Sequence, residues 1–212
     1  MSFVSIFLSK DFIAVTSDGQ LTDLENLVPV KNNFRKFEQI TKYQYLAVTG
    51  DILLLEKIYS LCKKKMNNFY QFYELKIIAT EIKELMNNHS NEAVAHVALF
   101  GFNQMNNAEI FTIHSNSSCI EAHILVSEDW LIKMFPSDLL KLNIDNLCLE
   151  FCENMKVSEI KSPDLVLNCL KDIHHLVAKN DISVNQEFFY EIISRKKDFK
   201  EHLKSFFGKI TS

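Results

Sequence analysis

Apolar residues recur with a period of two through the first fifty residues. Phe3–Leu8 and Asp11–Thr16 flank Ser9-Lys10, and Phe34–Ile40 and Tyr43–Thr49 flank Thr41-Lys42; all four stretches are rich in β-branched and aromatic residues. This pattern predicts two β-hairpins. After Gly50 the spacing becomes helical. Leu54, Leu55, Ile58, Leu61 and Cys62 share one face of a helix that Asp51 can cap and that runs to about Lys65. Beyond Asn67-Asn68, the positions of Phe72, Leu75, Ile78, Ala79, Ile82 and Leu85 predict a second helix over Tyr70–Asn87.

Residues 93–102, 108–114 and 119–126 then read as a meander of three strands, separated by turn-rich polar segments. The run Ala93–Phe100 barely alternates, which predicts a central strand buried on both faces, with His96 a hydrogen-bonded sheet histidine. From Asp129 to Ala178 the spacing reads as helical again, and Ser162-Pro163-Asp164 marks the start of the last long helix, with Ser162 as N-cap. His174-His175 lies near its end. Neighbouring helical side chains point about 100° apart, so these histidines read as a positive helix C-terminus rather than a shared metal site. Glu187–Ser194 is expected to be a final strand and Asp198–Ile210 an amphipathic helix or ordered tail. Periodicity therefore predicts an α+β protein with largely antiparallel sheets.

At 212 residues, 47% hydrophobic and 24% charged, the chain suits one domain spanning 1–212. A net charge of -4 removes the basic footprint that nucleic-acid binding requires. The runs Lys63-Lys64-Lys65 and Arg195-Lys196-Lys197 read as solvated helix ends or turns. Five irregularly spaced cysteines point to a reduced, cytoplasmic chain. Cys148 and Cys152 share a helix face but lack a second ligand pair, so they read as core cysteines, with no metal and no cofactor expected. No apolar stretch reaches the roughly 18 residues of a membrane span, and no Sec signal is expected.

Of only four glycines, Gly19 and Gly50 punctuate the predicted hairpins. Around them, Asp18-Gly19-Gln20-Leu21-Thr22, Asn33-Phe34-Arg35-Lys36 and Thr49-Gly50-Asp51 resemble the amino-terminal half of a proteasome β-type subunit, and the first of these segments is most similar to the HslV-type peptidases. The resemblance covers residues 2–66 well and the rest in element order. It implies the four-layer αββα sandwich of the amino-terminal-nucleophile hydrolases and assigns roles: Ser2 as nucleophile once Met1 is removed, Asp18 and Lys36 as its electrostatic partners, and Gly50 as oxyanion donor. It also implies a cleft lined by Leu21, Phe34, Val48 and Ile52, with Thr22 and Gly50 pairing to substrate backbone.

A serine hydroxyl needs a base, and the free α-amino group of the same residue, with a reference pKa of about 7.7–8, stands beside it. A lysine nearby would lower that pKa and help deprotonate the hydroxyl. In the family a serine within a glycine turn and an Asp-x-x-Ser-Gly-Gly loop support the nucleophile. Here they correspond to Val126-Ser127-Glu128 and Asn180-Asp181-Ile182-Ser183-Val184-Asn185: Ser127 and Ser183 are present, the flanking glycines are not, and the carboxylate position falls to Asn180 or Asp181. The function implied is a self-compartmentalising peptidase, a threonine-protease relative using serine. Its substrate would be a peptide or unfolded protein and its assembly a homo-oligomeric ring, with an ATPase unfoldase as a further partner. The alternatives are a non-catalytic proteasome-like assembly protein and an amidohydrolase acting on a small amide.

Overall fold

A computed structural model describes residues 3–22, 28–65, 74–89, 94–126, 129–136, 140, 142–155 and 159–195. The first hairpin joins β1 (Val4–Ser9) to β2 (Phe12–Ser17), with Val4 opposite Ser17 and Leu8 opposite Ile13. Ser9 closes its turn: the hydroxyl donates to Phe12 O at 2.8 Å and accepts from Phe12 N at 3.1 Å. A ribbon of β3 (Leu21–Thr22) and β4 (Pro29–Lys31) follows; strands this short cannot display a period-two pattern. The second hairpin joins β5 (Phe37–Thr41) to β6 (Gln44–Gly50). Its first strand begins at Phe37 rather than Phe34 because the preceding backbone is committed elsewhere. Phe34 N donates to Gly19 O at 2.8 Å and Lys36 N to Ser17 Oγ at 3.3 Å, which ties 34–36 to the end of β2.

β7 (Ala95–Phe102), β8 (Ala108–His114) and β9 (Ile120–Leu125) continue the meander into a five-stranded sheet, order β5-β6-β7-β8-β9, with the non-alternating β7 central and buried as predicted. The other sheet corrects one expectation. Trp130–Phe135, expected to begin a helical region, is a strand, β10, paired with β1 from Val4↔Phe135 to Ser9↔Trp130. Five apolar residues around Lys133 fit a strand or a helix equally well by pattern; the open edge of β1 supplies the ladder partners that decide it. β11 (Phe189–Ser194) covers the opposite edge, giving the order β10-β1-β2-β11.

Asp51 caps α1 (Ile52–Lys65) as expected, its carboxylate accepting from Leu54 N at 2.9 Å. α2 (Leu75–Asn87) starts later than predicted, after an extended Glu74, and residues 70–73 lie outside the described residues. α3 (Ile144–Asn154) and α4 (Pro163–Asn180) follow, the latter capped by Ser162. Three buried clusters define four layers. Leu46, Val48, Val97 and Leu99 pack on Leu54, Ile58, Ile78 and Ile82 of α1 and α2. Val4, Ile6, Ile13 and Val15 meet Ala47, Ala98, Phe100 and Ile110 between the sheets. Phe3, Phe7 and Phe12 pack on Phe151, Val166 and Leu170 of α3 and α4. The fold is the predicted αββα sandwich.

Two further expectations change. Cys152 is exposed and Cys148 half-buried, so this pair borders the core rather than filling it. His174 is fully buried, not a cation at a helix end. Burial pulls its pKa down to about 4, leaving the ring neutral. Among the described residues no helix is long and apolar enough to cross a membrane, and no group of three or more potential metal ligands converges. Met1, Ser2, Ser127 and the segment 198–210 lie outside the described residues.

Candidate active site

The site forms where the β1–β2 hairpin ends against the β5–β6 hairpin of the other sheet. Asp18, the residue after β2, is fully buried. Its amide donates to Phe3 O at 3.2 Å, while its Oδ1 accepts from Phe3 N at 2.8 Å and its Oδ2 from Gln20 N at 2.8 Å. The carboxylate thus fixes the backbone one residue after Ser2. Burial pushes the Asp18 carboxyl up to about 6, outweighing the opposing pull of Lys36 and the two N–H donors.

Lys36 is only 1% exposed. Its Nζ donates to Gln20 O and lies 4.8 Å from the centroid of the Phe34 ring, a cation–π contact. Its carbonyl accepts from Val48 N at 2.9 Å, which anchors it to β6. Burial lowers its pKa and the charge of Asp18 opposes that. Among the described residues Asp18 and Lys36 make no direct ion pair; they act on each other through space while backbone groups hold each in place. Desolvation dominates in both, so both are driven toward their neutral forms. A lysine brought closer to losing its proton is equipped to exchange one.

Gly50 ends β6, two residues beyond Val48 and opposite Ala95. Its φ of 121° and the Ala95 Cα, 2.6 Å from where a Cβ would stand, require glycine here on backbone grounds alone. The α4–β11 loop closes the other side. Of the two candidates for its carboxylate position, Asp181 meets Ser183: Oδ1 accepts from Ser183 N at 2.8 Å and from Ser183 Oγ at 2.6 Å, with both residues buried. Asn180 turns back to Leu176 O at 2.8 Å.

The cleft residues separate. Phe34 and Ile52 line a cavity of about 860 Å³ that runs along α1 and the edge of β5, with Arg35, Tyr45, Leu55, Tyr59 and Glu191. Asp18, Lys36 and Gly50 do not line it. These three candidate residues lie beside the cavity, and Phe34, which lines it and also meets Lys36, stands between the two. Val48 is buried in the core under α1 and α2, and Leu21 is half-buried on β3. Thr22 turns its hydroxyl inward, accepting from Gln20 Nε2 at 2.9 Å and approaching Ser183 O at 3.5 Å. Structure adds residues that sequence reasoning did not single out: Gln20, whose Nε2 also donates to Ile182 O at 3.0 Å, and Asn185, whose Oδ1 accepts from Gly19 N at 3.0 Å. Both act across more than 160 positions of chain, a distance at which local pattern carries no signal.

The two-sheet sandwich flanked by helix pairs is the αββα fold expected above. Solved structures with this fold are similar. Anbu, the ancestral beta-subunit from Yersinia bercovieri, superposes with a TM-score of 0.67 at 12% identity over 99% of this chain and 94% of that one. Eukaryotic HslV from Trypanosoma brucei superposes with a TM-score of 0.59 at 11% identity over 91% of this chain and 99% of that one. No sequence-family model matches the chain, and no curated protein matches it in sequence.

Proposed function

We propose that the chain is a subunit of a proteasome-like, self-compartmentalising peptidase that cleaves peptide bonds with Ser2 as an amino-terminal nucleophile after Met1 removal. The observation that carries this reading is the Asp18 carboxylate holding the Phe3 amide 2.8 Å away, with the buried Lys36, whose burial favours proton loss, within range of its charge. In this reading the Ser2 α-amino group takes the hydroxyl proton, and the oxygen attacks a substrate carbonyl. The Gly50 N–H then faces the oxyanion, a donor whose loss typically costs about 2.7–4 kcal/mol. The C–N bond breaks with proton transfer to the leaving amine, and water hydrolyses the resulting ester to return the hydroxyl. Ser127 and the Asp181–Ser183 pair support the nucleophile. Phe34, Ile52 and the adjoining cavity receive an apolar side chain of a peptide or unfolded protein. The subunits close into a homo-oligomeric ring in the cytoplasm, served by an ATPase unfoldase.

The test is intact mass combined with labelling by a peptidyl epoxyketone or a β-lactone, which report a free amino-terminal nucleophile. The expected outcome is loss of one methionine and one label per subunit, absent in Ser2→Ala and Lys36→Ala with their folds retained. Retention of Met1 in nearly every molecule sinks the proposal in favour of a non-catalytic assembly protein.

A further inference from the structure

Val184 and Asn185 stand where the resembling family's loop has glycines, and the structure gives the second of these a distinct task. Asn185 Oδ1 accepts from Gly19 N at 3.0 Å, and Asn185 O lies 3.0 Å from His174 Nε2, which therefore carries the ring proton. His174 is itself fixed: it is wholly buried, with ring centroids 6.2 Å from Phe3 and 5.3 Å from Phe188. On the far side of Gly19, successive peptide groups each serve the candidate site. Gly19 O accepts from Phe34 N, Gln20 N donates to Asp18 Oδ2, and Gln20 O accepts from Lys36 Nζ. A rotation of the Asp18–Gly19 peptide would propagate into all three. Gly19 is the residue least able to resist it, because it has no side chain to restrain its backbone, and a Cβ there would press on Glu187 Oε2 and on Phe189 Cε2, 2.8 Å away.

We propose that Asn185 and His174 are positioning residues: Asn185 holds the Asp18–Gly19 peptide in the orientation that sets Asp18 and Lys36, and the buried His174 holds Asn185. The inference rests on the catalytic reading of those two residues given above. It explains how a loop without the family's glycines can still present a rigid turn: a side-chain acceptor from 166 residues away performs the restraint.

The chain has only four glycines, so 15N-glycine labelling of the full assembly gives a spectrum in which Gly19 can be followed directly. In wild type the Gly19 signal is expected to titrate with the adjacent carboxyl, near pH 6, a transition absent from Asp18→Asn. In Asn185→Ala that midpoint should fall by about one unit as water reaches the loosened carboxylate, and the second-order rate of epoxyketone labelling should fall about tenfold, the effect of one lost hydrogen bond. His174→Gln, which keeps a donor for Asn185 O, should behave as wild type, and His174→Leu as Asn185→Ala. Urea unfolding midpoints of each variant separate this from loss of fold. Identical Gly19 midpoints in wild type and Asn185→Ala overturn the inference, as does unchanged labelling, or equal damage from both His174 variants. Failure of wild type to label at all refutes the Ser2 reading instead, and the Gly19 titration still decides the positioning role.

Discussion

Two buried groups give stability a pH dependence whose contributions nearly cancel, and separating them is a stringent check on the site. His174 has its pKa lowered from 6.5 to about 4 by burial. A depressed folded pKa contributes stability that is present above 6.5 and lost as pH falls toward 4. At 1.36 kcal/mol per unit, the difference is worth about 3 kcal/mol. Asp18 works in the opposite sense: raised from 3.8 to about 6, it contributes stability fully present below 3.8 and lost as pH rises through 6, again about 3 kcal/mol. The windows overlap between about 4 and 6, so wild type should show little net dependence there from these two groups. Asp18→Asn removes one arm, and its stability should drop by about 3 kcal/mol relative to wild type between pH 6.5 and 4. His174→Phe removes the other and should gain relative stability over the same interval. Lys36, also lowered by burial, loses stability as pH falls from 10.5, and Lys36→Met in each background removes it from the comparison. The assay is urea unfolding at half-unit pH steps, read as differences between variants so that surface groups cancel. If Asp18→Asn and wild type run parallel from pH 6.5 to 4, the Asp18 carboxyl is not buried and desolvated.

Other consequences are simpler to test. Phe7 is fully buried and meets Phe12, Trp130 and Phe151 at ring-centroid distances of 5.5, 5.9 and 5.8 Å. Phe7→Ala should therefore cost about 3–5 kcal/mol in urea unfolding, and a loss under 1 kcal/mol would argue against this cluster. Gly50→Ala places a Cβ against the Val94–Ala95 backbone at a φ of 121°. It should destabilise by at least about 1–3 kcal/mol even where activity is not measured; neutrality would show that the strand end is free to relax. Arg35 and Glu191 pair at 2.9 Å beside the cavity but are 40% and 39% exposed, so Glu191→Gln should change stability by less than about 1 kcal/mol in high salt.

Local pattern carries a large part of this fold. The β1–β2 hairpin, the meander of β7, β8 and β9, the Asp51 cap and the Ser162-Pro163 helix start all follow from interactions within a few residues: alternation across a pleat, a side chain reaching its own helix's amides, proline preset for a first turn. The central place of β7 was legible for the same reason, since a strand covered on both faces has no polar side to alternate. The resemblance to proteasome β-type subunits singled out Asp18, Lys36 and Gly50; Lys36, expected inside the strand Phe34–Ile40, in fact precedes β5. Tertiary structure decided what depends on distant partners. Trp130–Phe135 became a strand because β1 had an open edge. His174 became neutral because Phe3 and Phe188 enclose it, and Val48 left the expected cleft because α1 and α2 cover its face of the sheet. Asp181 rather than Asn180 met Ser183 because α4 continues through Asn180 and only the next residue turns inward. Asn185 found Gly19 only through the docking of the α4–β11 loop on the end of β2, and hydrogen bonds of that range arise from packing the layers, a step that leaves no periodicity in the chain.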